Sequence, residues 1–287
     1  MRTAQRDLNG RSFTVREWGT PGLPKLLMLH GFPEYGGAWG DLAPLLSDKF
    51  HCIAPDQRGY GDSYAPNDIG AYAMPELVGD MVALIGTDGP VIVMGHDWGA
   101  SVAYGLAMFR PDLVSRLIIA NGVHPVPFQR AMAAGGAQSE ASQYINQLRR
   151  PGSEDVLAAN DFARLMQLFS AKMDNRWLAG DRLDGYKAVW RKSGLRGMIN
   201  WYRASPLVVA DPGMPIEMPE LPLDRLQVTC PHLLIWGDGD TALLPVSTDG
   251  LEAFAPDLTR VDVPGADHWL LHQQPEHIAG IIRDWLA

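Results

Sequence analysis

What the 287-residue chain lacks narrows the possibilities first. It has only 2 cysteines. Cys52 lies in an apolar, strand-like run and Cys230 stands just before Pro231, so no disulfide framework is available and buried free thiols in a reducing compartment are expected. Positive charge is in deficit. Lys and Arg number 24 against 33 Asp and Glu, for a net charge of −9, which argues against a nucleic-acid surface. No apolar run approaches the length of a membrane span. Residues Met1 to Gly10 are polar and lack the apolar stretch of a signal peptide. The expectation is a cytoplasmic protein with neither nucleic acid nor membrane as partner; monomer and dimer are equally compatible with the sequence. There is no internal repeat. Gly59-Tyr60-Gly61 lacks the third glycine of a dinucleotide fingerprint. His268 and His272 are four apart, as in metal-binding helices, but no glutamate follows the first, so no zinc site is expected.

What is present reads as a globular α/β chain: 46% hydrophobic and 20% charged residues, in proportions ordinary for a packed domain. Ser12 to Trp18 alternates as an early strand. Lys25 to Leu29 is a short continuous apolar run, the mark of a strand covered on both faces, and Phe50 to Ala54, Val91 to Met94 and Val114 to Ala120 read as further strands. Helical spacing falls between them, at Trp39 to Leu46, Met74 to Ile85 and Ala100 to Phe109. The alternation predicts a mostly parallel sheet wrapped by helices. It breaks after Asn121-Gly122-Val123-His124-Pro125. From there to about Pro219 the pattern is helical, with stripes at Phe162, Leu165, Met166 and Phe169 and at Leu195, Met198, Ile199 and Tyr202. Ala131 to Ser142, small and polar, reads as a mobile segment giving access to a cleft. Strand signals resume at His232 to Trp236 and Arg260 to Val263, and Pro275 to Leu286 closes the chain as a helix. The expected organisation is a core of residues 1–125 and 220–287 with a helical cap, 126–219, inserted after a strand.

The chemistry centres on Gly95-His96-Asp97-Trp98-Gly99. Glycines two before and two after a central residue allow a sharp strand-to-helix turn, the nucleophile elbow. Its central residue here is Asp97. A serine attacking a saturated carbon would give an ether that water does not cleave under mild conditions. An aspartate gives an ester whose carbonyl belongs to the protein, and water can hydrolyse it. The elbow therefore points to displacement at an sp³ carbon followed by ester hydrolysis. That second step needs a base. Asp267-His268-Trp269 follows the last strand, and histidine titrates near neutrality. An acid must orient it, and the loop Trp236-Gly237-Asp238-Gly239-Asp240 offers two. Nucleophile, acid, histidine is the chain order of the α/β-hydrolase fold.

Four motifs, His30-Gly31-Phe32-Pro33-Glu34, Gly95-His96-Asp97-Trp98-Gly99, Asn200-Trp201-Tyr202-Arg203 and Gly265-Ala266-Asp267-His268-Trp269, span most of the chain. Through them it resembles the epoxide hydrolases of the α/β-hydrolase family. The resemblance implies the α/β-hydrolase fold and conversion of an epoxide to a vicinal diol without a cofactor. It implies Asp240, five residues before Pro245, as the acid in place of Asp238. It implies two cap tyrosines over Asp97: Tyr202 by motif, and Tyr144, ahead of Pro151-Gly152, by spacing, with Tyr186 as a competitor. It implies an oxyanion hole from the N–H groups of Phe32 and Trp98, and a cis peptide at Phe32-Pro33. Phenols suit the task, since a group of pKa about 10 stays protonated at neutral pH yet can give its proton to an alkoxide. Phe32, Trp98, Trp39 and Trp269 are expected to line an apolar pocket for aryl or alkyl epoxides. A haloalkane dehalogenase would share Asp97, Trp98 and His268, but commonly carries Asn where this chain has Phe32. A fluoroacetate dehalogenase would carry Arg in place of Trp98. A non-catalytic receptor would be expected to lack part of the set that this chain retains.

Overall fold

The computed structural model describes residues 1–87, 89–170 and 173–287. Eight strands form a single sheet in the order β1-β2-β4-β3-β5-β6-β7-β8. They are β1 Arg2–Leu8, β2 Arg11–Trp18, β3 Lys25–Leu29, β4 His51–Pro55, β5 Val91–His96, β6 Val114–Ala120, β7 His232–Gly237 and β8 Leu258–Val263. From β4 to β8 the pairs are parallel; β2 runs antiparallel to both β1 and β4.

The continuous apolar runs follow from burial on both faces. Successive side chains of a strand point to opposite sides. Leu27, Leu29, Val93, Leu117, Ile119 and Leu234 pack on one side, with the helices Met74–Ile85 and Trp98–Phe109. Leu26, Met28, Ile92, Met94, Ile118 and Leu233 pack on the other, with Ala43–Leu46 and Pro275–Leu286. Parallel strands place all their C-terminal ends on one edge, and β3, β5, β6 and β7 deliver the functional loops there.

Between β6 and β7 the chain is helical, with its longest pieces at Ser153–Ser170, Asp181–Ser193 and Arg196–Ala204. The first of these is kinked at residues 159–162. This segment sits on the loops after β3 and β4. The Trp190 indole N–H donates to the Pro33 carbonyl over 2.7 Å, and the Trp201 indole N–H to the Arg58 carbonyl over 2.9 Å.

Three features differ from the sequence reading. β1 was not expected. It is a polar edge strand, closed on β2 through Asn9-Gly10 with φ of 56° and 79°, the geometry a two-residue hairpin loop requires. The stretch from Trp39 to Leu46 is not one helix: a 3₁₀ turn at Gly36–Gly40 precedes a single α turn at Ala43–Leu46. Finally, the expected mobile segment contains two helical pieces, Pro125–Ala133 and Ala137–Ala141, with Gln138, Ser139 and Ser142 fully buried. Gln138 donates to the Ala242 carbonyl and accepts from the Leu244 N–H, at 2.9 and 2.8 Å. Small polar residues allow close packing here because backbone partners satisfy their polar atoms.

Candidate active site

Asp97 sits between the end of β5 and the helix Trp98–Phe109 with φ 51° and ψ −123°. A non-glycine residue in that region is strained and needs a surrounding frame to hold it. The two flanking glycines are part of that frame. A Cβ on Gly95 would lie 2.6 Å from Ala100 Cα, and one on Gly99 only 2.0 Å from the Leu29 carbonyl oxygen.

The Asp97 carboxylate is held asymmetrically. Its Oδ1 accepts from the Phe32 N–H over 2.7 Å, and the Trp98 N–H also donates to the carboxylate. Its Oδ2 lies 3.6 Å from His268 Nε2. Gly31 makes the approach from the β3 loop possible, since a Cβ there would fall 2.2 Å from Asp97 Oδ1. The Phe32-Pro33 peptide in this loop is cis, as expected. Burial raises the Asp97 pKa, and the opposing pull of His268, His96 and the two backbone N–H groups only partly offsets it.

His268 Nδ1 is 2.7 Å from Asp240 Oδ2. Asp240 is itself fixed: Asn121 Nδ2 donates to Oδ2 over 2.8 Å, and the Ala242 and Leu243 N–H groups donate to Oδ1 over 2.8 and 2.9 Å. Asp238 is exposed and accepts from the Gly265 N–H, at 3.2 Å. Burial disfavours a charged His268, but Asp240 first, then Asp97 and Glu34, outweigh it and lift the pKa to about 9. Burial works against an ionised Asp240 as well, yet His268 and the hydrogen-bond donors hold its pKa below the usual carboxylate value.

Reading the sequence missed several supporting residues. Asn121, at the end of β6, accepts from the Gly237 N–H over 2.7 Å, so one side chain ties β6 to β7 and to Asp240. A polar residue directly after an apolar strand was the available signal. Beneath the histidine lies a buried carboxylate, Glu34. It is 2.7 Å from His272 Nε2 and 3.2 Å from His96 Nδ1, and it accepts from the Tyr186 hydroxyl over 3.0 Å. The other nitrogen of His96 lies 2.8 Å from the His268 carbonyl oxygen, so both of its ring nitrogens face acceptors. Burial would raise Glu34, but the two imidazoles hold it far below the ordinary carboxylate range.

A cavity of about 260 Å³ opens over Asp97. Phe32, Tyr144, Tyr202, His268 and Trp269 line it, with Leu165, Leu168 and Phe169 from the helical segment. The Tyr144 and Tyr202 rings are 6.1 Å apart, and the Tyr202 edge packs on Phe32 and Trp98 at 5.3 and 5.1 Å. Burial raises the pKa of both phenols, so both stay protonated. Trp269 stacks on Phe169 at 4.3 Å. Tyr186 is turned to Glu34 and does not line this cavity. The Trp98 ring packs behind Tyr202 and forms no part of the wall. Trp39 departs from expectation: it is 2% exposed, in the core on the opposite side of the sheet, where Leu42 and Leu46 surround it. Among the described residues no three His, Cys, Asp or Glu are grouped to hold a metal ion, and no helix is long and apolar enough to cross a membrane.

Known proteins resemble this chain in sequence and in fold. Residues 24–275 match the family model of the alpha/beta hydrolase fold. The AB hydrolase superfamily protein YfhM of Bacillus subtilis is 32% identical over 97% of this chain and 95% of its own length. Epoxide hydrolase A of Mycobacterium tuberculosis is 29% identical over 98% and 96%. Among solved structures, an epoxide hydrolase from metagenomes of hot environments superposes with TM-score 0.88 at 35% identity, covering 100% of this chain and 98% of that one. The Bacillus megaterium epoxide hydrolase in complex with an inhibitor does so with TM-score 0.87 at 25% identity, covering 99% of each chain. Matched over nearly its whole length, the chain belongs to the alpha/beta hydrolase fold family.

Proposed function

We propose that the protein is an epoxide hydrolase working through a covalent ester on Asp97. Residues 126–219 are the cap, and 1–125 with 220–287 the catalytic core. The observation that carries this reading is the unequal treatment of the Asp97 oxygens: Oδ1 accepts from the Phe32 N–H while Oδ2 lies on the His268 side. Oδ2 attacks the epoxide carbon from behind. Tyr144 and Tyr202, on the facing wall, donate to the ring oxygen and protonate the alkoxide as the C–O bond breaks. Water, deprotonated by His268 with Asp240 behind it, then adds to the Asp97 ester carbonyl. Oδ1 becomes the tetrahedral oxyanion, already seated on the Phe32 and Trp98 N–H groups, so no reorganisation is needed at that moment. On collapse the departing Oδ2 alkoxide takes the proton held by His268, and the proton left on the new Asp97 carboxyl returns to the tyrosinate, so the diol leaves and carboxylate, imidazole and phenols are restored.

The dehalogenase alternative is not favoured. The relatives and structural neighbours include many named epoxide hydrolases, and a departing halide needs no pair of proton donors. The experiment offers styrene oxide and a bromoalkane side by side, then follows one turnover with excess enzyme in ¹⁸O-labelled water. Diol from the first, no bromide from the second, and label appearing in the protein before the diol are expected. Label entering the diol directly would refute the ester route.

A further inference from the structure

A second cavity, of about 540 Å³, lies against the first within the helical segment. Tyr144 and Leu168 line both, forming a common wall. The chemistry of the two differs. The inner cavity has no lysine or arginine in its lining, and its His268 is already flanked by Asp97 and Asp240, so it offers an anion no free counter-charge. The outer one is lined by Arg150 and Arg164, with Gln147 and Gln167, and by no Asp or Glu. Two different elements contribute the arginines to its lining: Arg150 lies in the turn after the helix Gln143–Leu148, and Arg164 lies on Ser153–Ser170. Other arginines of the segment have partners: Arg182 pairs with Asp41, Arg191 with Asp161 and Arg203 with Glu154, and Arg149 donates to the Tyr202 and Ser205 carbonyls. Among the described residues neither Arg150 nor Arg164 has a carboxylate partner. In a chain with nine more acidic than basic residues, two unpaired guanidinium groups at one acid-free cavity make a local site for an oxyanion.

From this juxtaposition we infer that Arg150 and Arg164 form a subsite for an oxyanion at the far end of the substrate, so that the preferred epoxide carries an apolar stem ending in a carboxylate or phosphate. This rests on the epoxide hydrolase reading and narrows it, and it departs from the expectation of uncharged aryl or alkyl epoxides. The stem runs past Tyr144 and Leu168, which keeps the anion away from Asp97. Both arginines are exposed, so the selectivity is modest and salt-dependent.

The test compares ω-epoxyundecanoate with its methyl ester at low ionic strength. The wild-type protein should favour the acid by about tenfold in kcat/KM. In the Arg150→Gln, Arg164→Gln double variant the preference should fall to parity, while the double lysine variant should keep most of it. Styrene oxide turnover should be the same in all three, which reports on the fold and the reacting centre. Calorimetry with undecanoate and undecyl phosphate addresses the subsite without turnover and ranks the two head groups; about tenfold weaker binding of both to the double glutamine variant is expected. Equal rates on acid and ester in the wild type, or a preference that survives loss of both arginines, would overturn the inference. Failure of styrene oxide hydrolysis would instead strike at the epoxide reading, leaving the calorimetric comparison to decide the subsite.

Discussion

Replacing Asp97 by asparagine isolates the electrostatic coupling between the two central groups. The carboxamide keeps an oxygen for the Phe32 and Trp98 N–H groups but removes the negative charge 3.6 Å from His268 Nε2. Losing an adjacent anion disfavours imidazolium, so the His268 pKa must fall. At 3.6 Å and an effective dielectric constant of about 20, the pair interaction is about 4.6 kcal/mol, which sets an upper limit of about three pH units. The pKa of about 9 is reached against burial with Asp240 as the larger contributor, so a drop of about one to three pH units is expected. Histidine-labelled NMR titration, with His268→Gln to assign the resonance, measures it directly. A His268 midpoint still near 9 in the asparagine variant would refute the reasoning. The consequence for catalysis follows from the same sign. Esterification neutralises Asp97 just as the substitution does. His268, mostly protonated beside the free carboxylate at pH 7, therefore becomes a competent base when there is an ester to hydrolyse. Stability carries a matching signature. A buried histidine whose pKa is lifted from 6.5 to about 9 contributes about 3 kcal/mol, present below pH 6.5 and lost as pH rises through 9. The asparagine variant should lose that increment at a lower pH.

Other substitutions divide the proposed steps. His268→Gln should still be alkylated but should stall at hydrolysis; mass spectrometry is expected to find protein heavier by one epoxide, and unmodified protein would count against a covalent route. Tyr202→Phe together with Tyr144→Phe should slow pre-steady-state ring opening by about 10²–10⁴-fold, with retained wild-type rate removing the phenols from the chemistry. Asn121→Ala strands the buried Gly237 N–H and one lone pair of Asp240; a loss of about 2–4 kcal/mol in denaturant unfolding is expected, and an unchanged midpoint would show that the β6–β7 tie is dispensable.

Much of the fold was legible because parallel strands covered on both faces need unbroken apolar runs. β3, β5, β6 and β7 all announce themselves that way. β1 was hidden for the opposite reason: an edge strand with exposed residues on both faces has no apolar period to read, and only Asn9-Gly10 marked it. The segment Ala131 to Ser142 misled because polarity normally marks solvent, whereas Gln138 and Ser139 are paired internally. Trp39 misled because composition gives no indication of which side of a sheet an aromatic residue will occupy. In the site, motif spacing brought Asp97, His268 and Asp240 into view. Glu34, His96 and His272 act through contacts between residues far apart in sequence, and nothing local records those; Asn121 left only the trace of a polar residue after an apolar strand.

The placement of Glu34 constrains how reactants reach Asp97. Its carboxylate belongs to the β3 loop, yet one of its donors, Tyr186, belongs to the helices above, and Trp190 and Trp201 anchor the same helices to neighbouring loop carbonyls. Hinging those helices upward would take one donor from a buried acid and strip two indole N–H groups of their acceptors in a single motion. Traffic to and from the buried nucleophile must then pass sideways between fixed walls, by rearrangement of individual side chains, so that the bore of the passage, rather than the rate of a closing door, sorts the molecules admitted.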